Sequence, residues 1–262
     1  MKAKRLAAAA AVVGASAAAY ERWLKPWQQR WGATDEELAL VLPGDDLVAE
    51  PATQVTRAIT IGATREQVWP WLVQLGADRG GFYTYDRLEN LFGLGIHSAD
   101  DIVEEWQDLQ IGDVVHADRG RTGGWYVAEL RPREVLVLEV GDLDAGRPLR
   151  RDEDLRWEFQ WTFALRDAPG GGTRLLVRER VAFDSVITRA LMAPVGFVSF
   201  VMTRGMLLGI KARVEARREP APVLRFPTPA SGSADRTIGP GRAPRPPRSA
   251  DRVGPVPGTG RW

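Results

Sequence analysis

Five side chains able to move protons or hold a polar ligand fall in one loop-rich stretch: Tyr83, Tyr85, Asp86, Asn90 and His97. Tyrosine and histidine are natural general acid–base groups, and an aspartate near His97, such as Asp100, would orient its ring. The same residues suit a plainer task, because tyrosine and aspartate also pin loops through hydrogen bonds. A sixth candidate lies far along the chain. Leu175, Val177, Val181 and Phe183 recur with a period of two, and Glu179 shares their parity. A carboxylate on a core face must be paired, protonated or turned into a cavity, unless a bulge swings it outward. Arg178 and Arg180 have the opposite parity and are expected to face water or the neighbouring strand. His116, at the edge of a strand, reads as structural.

Several chemistries are excluded. The chain has no cysteine, which removes disulfides, thiolate nucleophiles and Cys-bound metals. It has no glycine-rich dinucleotide fingerprint after a strand, no P-loop and no nucleophile elbow. Asp86, Glu89 and His97 are the one grouping near metal-ligand spacing, and it is too sparse to predict a metal. No cofactor is expected. The net charge is +1, and the aromatic residues alternate on a core face rather than beside a basic groove, so nucleic acid is not an expected partner. Nothing in the sequence expresses an oligomeric state.

The elements that must position these residues follow from periodicity. Gln54 to Ile61 alternates and reads as a strand, and Gly62 ends it. Thr64 with Gln67 forms a capping pattern for a helix carrying Val68, Trp69, Pro70, Leu72, Val73 and Leu75, with Pro70 in the first turns. Strands are predicted over 114–117, 125–130 and 135–140. The strongest is Leu155 to Leu165, with Leu155, Trp157, Phe159, Trp161, Phe163 and Leu165 on one face and Arg156, Glu158, Gln160 and Thr162 on a face predicted to meet water. Pro169-Gly170-Gly171-Gly172 turns the chain into a partner strand over 173–183. A long helix from about Gly196 to Arg218 presents Phe200, Thr203, Leu207, Ile210 and Val214 as one stripe.

The ends differ in character. Lys2, Lys4 and Arg5 precede an uncharged run from Leu6 to Tyr20, the layout of an anchor or a signal peptide. The run would span about 22 Å as a helix, short of a hydrocarbon core of about 30 Å. Trp23, Trp27 and Trp31 could extend it at an interface, so a membrane is the expected contact of residues 6–31; a plain helix packed on a cytoplasmic domain is the alternative. If the positive-inside rule holds, the domain lies outside the cytoplasm. Ala190 to Ile210 is apolar apart from Arg204, a second conceivable membrane segment that Pro194 and Gly196 interrupt. Thr34 with Glu37 forms another helix start in a connector that Pro43-Gly44 closes. The Pro/Arg-rich stretch 219–262 cannot bury enough apolar surface to order itself and is expected to be disordered. The expected organisation is thus an apolar helix (1–30), a connector (31–53), a folded domain (54–218) and a tail (219–262).

A strand, a Pro-bearing helix, a run of strands and one long C-terminal helix resembles the SRPBCC superfamily, the START-like, polyketide cyclase/dehydrase and lipid-transport group. The stretch 58–72, Ala-Ile-Thr-Ile-Gly-Ala-Thr-Arg-Glu-Gln-Val-Trp-Pro-Trp-Leu, is similar to that group's opening motif. Gly80 to Asp86, Asn90 to Asp100 and Trp106-Gln107 resemble an uncharacterised bacterial branch of it. The resemblance implies an α+β helix-grip fold, a curved antiparallel sheet around the terminal helix with an internal pocket. Trp71, Phe82, Tyr83, Tyr85, His97, Trp157, Trp161, Phe163, Glu179, Phe200, Met206 and Leu207 would line it, and most of these would serve equally as core filling. Three functions follow as expectations. The first is binding of a small hydrophobic or lipid-like ligand, with the protein associated with a membrane. The second is a cyclase/dehydratase-type enzyme using His97, Tyr83, Tyr85, Asp86 or Glu179. The third is a non-catalytic membrane scaffold. A superfamily with so many activities fixes none of them.

Overall fold

The computed structural model describes residues 2–91, 93–144, 146–148 and 157–217. Phe92, the opening Leu155 and Arg156 of the predicted strand, Arg218 and the whole of 219–262 lie outside the described residues.

The N-terminal helix α1, Lys2–Ala19, continues through one π-helical stretch, Tyr20–Leu24, into α2, Lys25–Gln29. A short helix α3, Asp35–Ala39, follows, and its predicted capping box is present. The Thr34 N–H donates to Glu37 Oε2 at 2.9 Å, and the Glu37 N–H donates back to Thr34 Oγ1 at 3.2 Å. Next come β1 (Thr53–Ile61), α4 (Arg65–Val73), α5 (Asp86–Leu91), β2 (Val114–His116), β3 (Gly124–Arg131) and β4 (Val135–Asp142). The short β5 (Arg147–Pro148), the long β6 (Trp157–Ala168) and β7 (Gly172–Phe183), and the 31-residue α6 (Val186–Ala216) complete the chain.

All pairings are antiparallel. The strand order is β1-β7-β6-β4-β3-β2, with β5 paired to β4. The β6–β7 hairpin turns on Gly170 and Gly171, whose φ angles of 89° and 90° only glycine holds without strain. The curved sheet and its long C-terminal helix are an α+β arrangement compatible with a helix grip.

The main core lies between one sheet face and α4 and α6. Phe163, Leu165, Leu175 and Val177 meet Trp71, Leu72, Met206, Leu207, Ile210 and Val214. The predicted stripe of α6 is buried at all five positions. The helix itself begins ten residues earlier than predicted. Ser185 caps it, accepting from the Thr188 N–H at 3.1 Å, and Pro194 is accommodated inside. Along this added half, residues 186–198, no described residue is buried.

The opposite sheet face corrects the sequence reading. Gln160, Thr162 and Arg178 are fully buried rather than solvated, because the connector 31–53 packs over them. Leu42 there joins Ala58, Val135, Val137, Ala164 and Leu176 in a second apolar cluster. A short helix leaves its last carbonyls without partners, and burial makes those orphans costly. Arg178 supplies the donors: its guanidinium bonds to the carbonyls of Glu37, Leu38 and Leu40 and to Asp45 at 2.7–3.2 Å. Arg180, half-buried, donates to the Val48 and Ala49 carbonyls.

Candidate ligand-binding site

Strand alternation places Trp157, Phe159, Trp161 and Phe163 of β6 side by side on the face that α6 crosses. Trp125 of β3 and Phe82 of the loop after α4 close in from the flank. Trp161 and Phe163 have ring centroids 4.8 Å apart, Trp125 and Trp161 5.4 Å, and Phe82 and Trp125 6.0 Å. Burial is graded along this bank. Phe163 and Trp161 are enclosed, whereas Phe159, Trp157 and Trp125 are half-buried. The open end is where β7 finishes, since Trp157 pairs with Phe183 and α6 starts three residues later. Among the described residues the buried Trp161 indole N–H has no acceptor. A buried donor without a partner is unusual in a folded protein.

Beside the bank lies a buried polar cluster. Glu179 pairs in register with Trp161 on one side and Val55 on the other. Its carboxylate accepts from Arg57 at 2.8 Å, from Ser199 Oγ at 2.5 Å and from Thr203 Oγ1 at 2.7 Å. Arg57 also donates to the Gln28 carbonyl at 3.0 Å and lies over the Phe200 ring. Three donors occupy the carboxylate, so Glu179 is the paired case of the sequence argument and not a free acid facing a cavity. Ser199 and Thr203 are one helical turn apart, and through them β1, β7, α2 and α6 meet at one point. Arg57 was missed in the sequence, although it shares the parity of Val55, Ile59 and Ile61, the test that singled out Glu179.

The loop 80–85 distributes its aromatic residues. Phe82 joins the bank. Tyr83 turns inward with φ 57° and is fully buried, edge-on to Trp71 at 5.5 Å, with Arg213 over its ring. Burial pushes the Tyr83 phenol well above its ordinary pKa, so it stays protonated. The loop fits because α6 carries Gly205 and Gly209 one turn apart. A Cβ at Gly209 would overlap the Tyr83 carbonyl oxygen, and one at Gly205 would lie 2.8 Å from the Tyr85 ring. That G-x-x-x-G spacing is the sequence signal that could have found the docking.

The proton-transfer candidates therefore do not converge. Tyr85 and His97 are exposed, and Tyr83 sits in the core between α4 and α6. Asp86 accepts from the Ser98 N–H at 2.9 Å and the Ser98 hydroxyl at 2.6 Å, and Asn90 donates to the Ile96 carbonyl, so both pin the loop. Asp100 pairs with Arg213 and not with His97. Among the described residues no hydrogen bond joins any two of His97, Tyr83, Tyr85, Asp86 and Glu179. Trp71, Phe163, Met206 and Leu207 fill the core, and Phe200 rests against Trp27 with ring centroids 5.3 Å apart. Trp157 and Trp161 remain on the bank.

The membrane expectation also shifts. Among the described residues, the segment long and apolar enough to cross a bilayer is Pro194–Ala216, one-third buried, and not the N-terminal run. Trp31, expected at an interface, packs on the core, and its carbonyl accepts from the Ala58 N–H at 3.1 Å.

No protein-family model matches the chain, and no curated protein matches it. Solved structures resemble it distantly. Protein MLL2253 of Mesorhizobium loti is 15% identical over 63% of this chain and 98% of its own, with a TM-score of 0.36. A protein of Arthrobacter aurescens is 16% identical over 66% and 94%, with a TM-score of 0.37. DynU16, from the dynemicin biosynthetic locus, is 14% identical over 60% of this chain and 47% of its own, also at 0.37. These likenesses carry no assignment of family or function.

Proposed function

We propose that the chain is a START-like member of the SRPBCC superfamily that holds a small hydrophobic or lipid-like molecule against the aromatic bank. In this reading the protein works at a membrane that it reaches through the N-terminal helical segment preceding Trp31. The observation that carries the reading is the half-buried end of the bank at Trp157, Phe159 and Trp125, next along the strand to a buried Trp161 N–H without an acceptor among the described residues. Apolar walls with one or two placed polar groups are the usual form of a small-molecule site. The ligand class is a flat or elongated apolar molecule with an acceptor oxygen near one end. Glu179 stays bound to Arg57 throughout and shapes the wall.

Native mass spectrometry of gently purified protein, together with titration of a polarity-sensitive fluorescent fatty acid, tests the proposal. One saturable site is expected. Phe159→Asp at the open end should weaken uptake at least about tenfold, because a carboxylate would then meet an apolar ligand. Trp161→Phe should weaken an oxygen-bearing probe more than a pure hydrocarbon. Folded protein that takes up no probe at any concentration would end the proposal.

A further inference from the structure

Among the described residues, nine of the sixteen exposed large hydrophobic side chains lie on two adjacent stretches. One surrounds α2, where Trp23, Leu24 and Trp27 are 70%, 44% and 50% exposed. The other is the first half of α6, where Val186, Ile187, Leu191, Val195, Phe197 and Val198 are all exposed. The edge-on contact of Trp27 with Phe200 joins them. At about 3.6 residues per turn, the six α6 residues cover roughly half of the helix circumference, too broad a face for a single packed neighbour. Residues 190–203 carry no charge and are bounded by Arg189 and Arg204.

We propose that these two stretches form one composite face that lies in the headgroup region of an anionic bilayer, with the first half of α6 parallel to the surface. This deepens the membrane half of the proposed function and does not depend on the ligand half.

Three observations select this occupant. Residues 2–31 hold six basic side chains against the single acidic Glu21; Lys25 pairs with Glu21 and Arg30 with Asp35, and the positive surplus that remains suits anionic lipid. A second copy of the chain docked through the same face would bring the two basic sets together, since a twofold contact pairs each patch with itself. Exposed tryptophans beside an apolar helix are the composition of an interfacial belt.

Crossing the bilayer is ruled out by the second half of α6. Residues 186–198 span only about 20 Å as a helix, short of a core of about 30 Å. From Phe200 onward the helix is committed to the domain. Arg204 stacks on Trp31, Tyr85 and Tyr83 occupy Gly205 and Gly209, and Arg213 pairs with Asp100. The apolar stretch that satisfies the length and hydropathy of a span is thus part core and part interfacial helix.

Co-sedimentation of the full chain with phosphatidylcholine vesicles, with and without phosphatidylglycerol, tests this. The wild type should partition onto the phosphatidylglycerol vesicles, and Leu191→Glu/Val195→Glu should lower that partition about tenfold or more, since each loses an apolar side chain from the interface. Both positions are exposed, so circular dichroism of the variant should match the wild type. Undiminished partition of the variant would overturn the proposal, because the N-terminal helix alone would then make the contact. A dimer in vesicle-free solution that the same substitutions dissolve would overturn it in favour of a second copy. Fatty-acid uptake measured without vesicles separates the two readings: its absence sinks the pocket and leaves the bilayer contact standing.

Discussion

Glu179 and Arg57 are almost fully enclosed, with side chains 8% and 2% exposed. Two charges removed from water are tolerated only when each satisfies the other and further hydrogen bonds fill the remaining sites. Here Ser199, Thr203 and the Gln28 carbonyl do that filling. Glu179→Ala should therefore cost about 3–5 kcal/mol in urea denaturation, because it strands a buried guanidinium. The double variant Arg57→Met/Glu179→Leu should regain most of that loss, since it removes both desolvation penalties together. A double variant as unstable as the single one would mean that the pair stabilises the fold by itself. At this scale the sequence was half legible. Parity places Glu179 on the inner face, and Arg57 has the same parity as Val55, Ile59 and Ile61 in a strand whose alternation alone does not single it out. Two charges facing inward on strands more than a hundred residues apart become partners only through β1–β7 register, which no local pattern encodes.

Elements show the same division. The stripe of α6 and the alternation of β6 were readable because each has a single period and one buried face. The glycines of α6 were not, because their role depends on a loop more than a hundred residues away. Gly209→Ala should displace the Tyr83 carbonyl and destabilise the protein by about 1–3 kcal/mol, while Gly205→Ala should cost less, because the Tyr85 ring can swing aside and the Tyr83 backbone cannot. Thermal melts of the two variants check the order, and equal losses would show that the loop is not seated on Gly209. The connector was legible as a capped helix but not as a cover. That function depends on Arg178 reaching α3 carbonyls, a side-chain-to-backbone contact invisible to hydropathy. The resulting two-sided burial explains why Gln160 and Thr162, polar and alternating, are nonetheless dry.

For the whole molecule, the connector brings a pH dependence. Hydrogen bonds from Arg174 hold Glu37 below its ordinary pKa of 4.5, with help from the Thr34 backbone. A carboxylate depressed in the folded state adds stability at pH values above its unfolded pKa and loses it as pH falls through the folded one. Stability should thus drop as pH is lowered from about 5 into the acid range, and Arg174→Ala should flatten that part of the profile. Denaturation midpoints at neutral and acid pH measure it, and an identical acid slope in the variant would remove Glu37 from the account.

The long helix has its own mechanical consequence. Its second half buries one stripe in the core and its first half buries no described residue, and the change falls at Ser199 and Thr203, the two hydroxyls that grip Glu179. That carboxylate ties the middle of the helix to β7. Lifting the exposed half away from the sheet would have to break these two hydrogen bonds, each worth roughly 2 kcal/mol because its acceptor is charged.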